Sequence, residues 1–243
     1  MSLFTDGAIT SIEELTGHDT QLLAVASVEG IDVSRKLVLA QDEISVEVTG
    51  LLGRCAAPPD LKQVVVTPAI KLWHAYRTLE LVYRDAYHSQ LNDRYAGKRD
   101  EYRTLTHWAN NHVIQSGLGI AADPVRRAAP PQVTPSTGSL DDGTYYVSVS
   151  WANGAGEEGA CSTPTEIQTS GNSFAVRTAV AEGVRGWNVY CGTGPETMTL
   201  QNPALLMPEE AWILPTFTSN GRAAGSGQEP TYRLAVPRIL QRG

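Results

Sequence analysis

The side chains able to do chemistry are few and scattered. His107 and His112 stand five residues apart, a spacing that turns them to different sides of a helix, while His74 and His88 are isolated; all four read as helix-face residues rather than metal ligands. Cys55, Cys161 and Cys191 are odd in number and widely spaced, which is neither a disulfide framework nor a metal-binding pattern. They read as reduced thiols, and a Cys161–Cys191 bridge would require the two Cα atoms to approach within about 7 Å. No phosphate loop of the G-x-x-x-x-G-K-[ST] type, no G-x-S-x-G elbow and no H-E-x-x-H pair occurs in the sequence. Asp141 and Asp142 before Gly143 form an ordinary turn sequence entering a strand. No paired catalytic carboxylates suited to cell-wall cleavage are evident. The chain therefore reads as non-enzymatic, with no catalytic or metal site and no cofactor expected.

What stands out instead is a stripe of large residues over 67–116. Trp73, Tyr76, Leu79, Tyr83, Tyr87, Leu91, Tyr95, Tyr102, Leu105 and Ala109 recur in steps of three, four or seven, which lines one face of an α-helix. Thr67 is placed to cap it and Pro68 to occupy its first turn. Tyrosine suits a seam with a wet edge, because its hydroxyl needs a partner when buried. The stripe packs either within the subunit or partly against neighbours, and Trp73, Tyr76, Tyr83, Tyr87, Tyr95 and Tyr102 are the candidate assembly interface. Gly97 is the only breaker, and Tyr95 and Tyr102 lie one heptad apart across it. This favours one continuous helix, bent at Gly97, over a hairpin. Such a rod of about 48 residues would be about 70 Å long, too long for one subunit's short helices to cover.

The charge is uneven. Residues 1–57 carry 3 basic and 9 acidic groups, residues 58–127 carry 10 and 7, and the remainder 6 and 10, for a net charge of −7. An acidic chain is a poor dedicated nucleic-acid binder, because phosphate contact needs a concentrated basic face. The middle segment mixes both signs and reads as a solvated helix face. No apolar run of about 18 residues exists, and the first ten residues lack the basic and apolar blocks of a signal peptide; a soluble protein without membrane contact is expected.

The predicted architecture is α+β and multidomain: an N-terminal helical bundle with a long helix (1–120), a Pro/Ala-rich linker (121–135), a C-terminal antiparallel β-sandwich (136–230) and a docking tail (231–243). Capping boxes at Thr10/Glu13 or Ser11/Glu14, Asp19 before a run ending at Gly30, and Asp32 before residues 33–52 mark three helices. In the third, Leu37, Ala40, Ile44, Val48 and Leu51 form the apolar stripe. Pro58 and Pro59 interrupt the helices, and residues 61–66 are ambiguous between strand and helix. Short strands follow at 144–151, after a glycine-rich turn at 161–169, and at 173–178, 184–191, 197–201 and 212–214. Trp187 reads as core, and only Trp151, Trp187 and Trp212 offer aromatic candidates for glycan contact. The tail carries Arg233, Arg238 and Arg242 with no acid, the apolar Leu234, Val236, Ile239 and Leu240, and Pro237 in its middle. It either returns to its own helical domain or orders on an acidic surface of a neighbouring subunit.

Two regions of the chain carry family resemblances. GTYYVSVSWANGAGEEGACS and VRGWNVYCGT resemble the strands of fibronectin type III and related bacterial immunoglobulin-like modules, in reversed order, which leaves the topology open. FTDGAITSIEEL, LLAVASVEGIDVSRKLVLAQDEI and VVVTPAIKLWHAYRTLELVYRDAYHSQLNDRYAGKRDEY resemble the amino-terminal region of tailed-bacteriophage head-tail connector proteins, also called neck adaptors. That resemblance implies a virion structural protein of the neck, assembled in the host cytoplasm. It further implies a homo-oligomeric ring, commonly twelvefold, between the portal protein and tail-side neck proteins, with DNA passing through without sequence-specific binding. The added β-domain leaves open a tail, baseplate or capsid decoration protein that binds a host glycan or protein.

Overall fold

The computed structural model describes residues 1–90, 93–179 and 181–236, without the side chain of Gln90. Five α-helices and several antiparallel strand pairs make the chain α+β. It divides into two compact units, one of residues 7–122 with the C-terminal stretch from 230, the other of residues 1–6 with 123–229. The expected boundaries change accordingly. The first six residues belong to the β-unit, where Arg127 N–H donates to Asp6 Oδ1 at 2.8 Å. Residues 121–135 are no linker: Val125 and Ala128 are buried in the β-unit core, and the last of these residues form a strand.

The helical unit opens with α1 (Ile12–His18), whose Ser11/Glu14 capping box satisfies first-turn donors reciprocally. α2 (Leu22–Glu29) ends at Gly30 in the left-handed conformation, which glycine adopts without strain. α3 (Val33–Leu52) starts at the Asp32 cap and buries its predicted stripe of Leu37, Ala40, Ile44, Val48 and Leu51. After the proline loop and a 3₁₀ turn at Leu61–Gln63 come α4 (Pro68–Gln90) and α5 (Ala96–Ser116), separated by a second 3₁₀ turn at Asp93–Tyr95.

The continuous rod expected over 67–116 is not formed, because α4 and α5 fold back on each other as a hairpin. The rings of Tyr83 and Tyr102 stack with centroids 5.5 Å apart and planes at 20°, whereas 19 residues of one helix would separate them by about 28 Å. The heptad phase across the break survives because both arms bury the same kind of face into one core. Gly97 lies inside α5 with open space around it, and Leu91 lies outside the described residues.

Beyond α5, β1 (Leu118–Ile120) pairs antiparallel with β9 (Tyr232–Leu234). On the other side of β1, Val65 N–H donates to Gly119 O at 2.9 Å and Ala121 N–H to Gln63 O at 2.8 Å, so the ambiguous 61–66 run ends in strand-like pairing.

In the β-unit, β2 (Gln132–Ser136), β5 (Ser173–Arg177) and β8 (Trp212–Ile213) make one antiparallel sheet. β4 (Thr165–Thr169), β3 (Gly143–Ala152), β6 (Gly186–Gly192) and β7 (Thr199–Leu200) make another, in that order. Both sheets feed one core. Tyr145, Val147, Val149 and Trp151 alternate along β3 to meet Trp187 and Val189 of β6 and Phe174, Val176 and Trp212 of the other sheet. Cys55, Cys161 and Cys191 are free thiols; burial pushes Cys161 up to about 11 and Cys191 up to about 12.

Candidate functional site

Two tyrosines of the stripe, Tyr83 and Tyr102, converge on one buried carboxylate. Asp19, expected only to cap α2, accepts Gln21 N–H on Oδ1 at 2.9 Å. Its Oδ2 accepts the Tyr83 hydroxyl at 2.8 Å and the Tyr102 hydroxyl at 2.9 Å, with Lys98 Nζ at 3.5 Å. Burial pushes the Asp19 pKa up, but the three donors and the Lys98 charge outweigh it, and the net shift is downward. Tyr95 donates to Glu29 Oε1 at 2.9 Å. Trp73, Tyr83, Tyr95 and Tyr102 are therefore interior residues of the subunit, and their expected role as an assembly interface is corrected: the wet edge that tyrosine requires is supplied by acids of α1–α2 in the same chain. Tyr76 and Tyr87 stay half-buried, Tyr76 edge-on to His18 and Tyr87 beneath the Arg99 guanidinium, 4.1 Å from its ring centroid.

His74 is no surface residue. It is fully buried, its Nδ1 2.7 Å from Thr10 Oγ1 and its Nε2 3.0 Å from Leu37 O. Burial holds its pKa below the ordinary value despite the Leu37 carbonyl.

The tail is positioned by backbone pairing. Arg233 opposes Gly119 and Leu234 opposes Leu118 in the β1–β9 register, and Val236 is buried. The described part of the tail thus packs on its own helical unit, the first of the two readings. Pro237, Arg238, Ile239, Leu240 and Arg242 lie outside the described residues.

A constellation that sequence reading passed over lies on the α4–α5 hairpin. Arg77, Arg84 and His88 on α4 and Arg99, Arg103 and His107 on α5 line one open groove of about 510 Å³, with Glu80 its single acidic lining residue. Steps of seven and four on α4 and of four on α5 bring these groups to one face. Arg77 is neutralised by Glu43 at 2.6 Å and Glu80 at 2.8 Å, and Arg99 by Asp100 at 2.9 Å. Arg84 and Arg103 make no ion pair within 4 Å among the described residues. The groove adjoins an acidic recess of about 140 Å³ that shares Arg77, Glu80 and His107 and is also lined by Glu43, Glu47 and Thr106, whose buried Oγ1 has no hydrogen-bond partner among the described residues. The signal was present as R77-x6-R84-x3-H88 and R99-x3-R103-x3-H107, but interleaved acids masked it as a solvated face.

In the β-unit, the glycine-rich turn supplies a second polar centre. Glu158 accepts from Tyr190 at 2.6 Å, Arg222 at 2.6 Å and Asn188 at 3.1 Å, and from Ser150. Burial raises its pKa, but these bonds prevail and the net shift is downward. Glu158 lies at the floor of an open cleft of about 650 Å³ edged by Asn202, Arg222 and Glu229. Trp151, Trp187 and Trp212 are all buried and give that cleft no aromatic platform. Among the described residues no group of three or more His, Cys, Asp or Glu is placed to hold a metal ion, and no helix is long and apolar enough to cross a membrane. No protein-family model matches the chain, and no curated protein matches its sequence.

Proposed function

We propose that the chain is a structural subunit of a tailed-phage virion, a head-tail connector whose helices act as a bundle that assembles into a closed, commonly twelvefold ring between the portal protein and tail-side neck proteins. Its two β-sheets are read as an immunoglobulin/fibronectin-III-like sandwich carried on that ring, and DNA passes through without sequence-specific contact. The earlier reason for assembly, a rod too long to bury, falls with the rod. The observation that replaces it is the outer face of α3. There Leu39 and Val46 stand one heptad apart with Val38 beside them, and Val38 and Val46 are 61% and 74% exposed although the opposite stripe of the same helix is fully buried. A helix apolar on two faces needs a second partner, and a neighbouring copy supplies one in a ring.

Negative-stain images of the protein mixed with its portal test the reading. Closed rings stacked on the portal are expected, and a protein that never joins the portal contradicts it. A second reading, a decoration protein whose β-unit binds a host glycan, is favoured by the polar cleft above Glu158. Binding of the full chain on a glycan array, lost in Arg222→Ala, would select it.

A further inference from the structure

The basic groove of the helical unit is unexplained by ring assembly. Six cationic or imidazole side chains face one another across α4 and α5 against a single acid, in a chain whose net charge is −7. Grouping like charges costs folding free energy, and a fold retains such a group where an anion completes it. Arg77 and Arg99 are compensated by Glu43, Glu80 and Asp100. Arg84 and Arg103 make no ion pair among the described residues, although Asp100 lies close enough to interact with Arg103, and they come to the groove from different helices.

We propose that this groove is a binding site for a phosphate-type polyanion. Two guanidinium forks from different helices suit bidentate contact with tetrahedral oxyanions, which a pair of ammonium groups would hold less specifically. A groove of about 510 Å³ is larger than a single phosphate needs, so a chain of linked phosphates is the fitting class. Along α5, Arg99, Arg103 and His107 are spaced by one step of four residues, about 6 Å per step, so consecutive phosphates meet a guanidinium or an imidazole. The anion lies between Arg84 and Arg103, the two lining arginines without an ion pair among the described residues. The same chemistry is offered by free polyphosphate and by the backbone of a single-stranded nucleic acid.

The test uses the full chain with three probes: tripolyphosphate by calorimetry, a fluorescently labelled mixed-sequence single-stranded oligonucleotide by anisotropy, and an oligoglutamate peptide as control. Binding of either phosphate probe, weakened at least tenfold in Arg84→Gln/Arg103→Gln, is expected. Tripolyphosphate alone identifies free polyphosphate as the source; oligonucleotide binding identifies the nucleic-acid backbone, and its salt slope should then fall by about 1.4 in the double variant, about 0.7 for each phosphate contact removed. An unchanged melting temperature shows that the variant folds. Absence of binding to both phosphate probes, binding indifferent to the two arginines, or equal binding of oligoglutamate would overturn the proposal. Each readout is independent of whether the chain forms a ring.

Discussion

Replacing Asp19 by alanine tests how the helical unit is held together. The carboxylate is the common acceptor for Tyr83, Tyr102 and Gln21 N–H, at 2.8, 2.9 and 2.9 Å. Both tyrosines are buried, so truncation leaves two hydroxyls without water or a protein partner. At about 1–3 kcal/mol per stranded donor, less what is regained by no longer burying a charge, the loss is about 3–4 kcal/mol. For a chain of this size that lowers the melting temperature by about 6–16 °C, read from helical circular dichroism. Asp19→Asn keeps an acceptor and an orientable amide and should lose less than half as much. The folded pKa of Asp19 lies below its unfolded value, so its contribution is complete above the unfolded pKa, near 4, and disappears as pH falls through the folded value. The acid limb of the stability curve should therefore flatten in both variants. A melting temperature for Asp19→Ala within about 2 °C of wild type would refute the reasoning, because it would mean that the tyrosine hydroxyls do not depend on this carboxylate.

His74 gives a second pH signature: its folded pKa is depressed by burial, so its contribution is present above the unfolded value of about 6.5 and lost as pH drops below it. Melting temperatures between pH 8 and pH 5.5 should decline with a slope that His74→Gln reduces, and an unchanged slope in the variant would count against the buried neutral ring. Gly117 has φ of 77°, and a Cβ there would sit 2.7 Å from Leu234 O. Gly117→Ala should therefore cost at least about 2 kcal/mol and release β9, which limited proteolysis would detect as early cleavage near residue 230; wild-type resistance would contradict the pairing described.

Helix limits were legible wherever caps and stripes coincide. Ser11, Asp32 and Pro68 start helices where the side-chain chemistry places them, and the α3 stripe is buried residue for residue. β3 to β8 followed from alternation and turn spacing, whereas β1, β2 and β9 fell in stretches expected to be helical domain, linker and tail. The hairpin was not legible, since two arms that bury the same face keep the phase of one helix and periodicity alone cannot separate them. Asp93, which opens the second 3₁₀ turn, was a better signal than Gly97. Asp19 and Glu158 were hidden for a different reason: their partners lie 64 and 83 residues away in the one case and up to 64 in the other, and no local pattern encodes such contacts. The groove was hidden because net charge averages over helix faces, while Arg84 on α4 and Arg103 on α5 come together in one groove with Glu80 as its one acidic lining residue.

The most direct test of ring assembly through the outer face of α3 is a native mass spectrum of the full chain at micromolar concentration, beside that of Val38→Glu/Val46→Glu. A single closed oligomer, twelvefold, is expected for the wild type, and a folded monomer with unchanged circular dichroism for the variant. A wild-type chain that is monomeric at every concentration, or a variant that assembles as the wild type does, would contradict it.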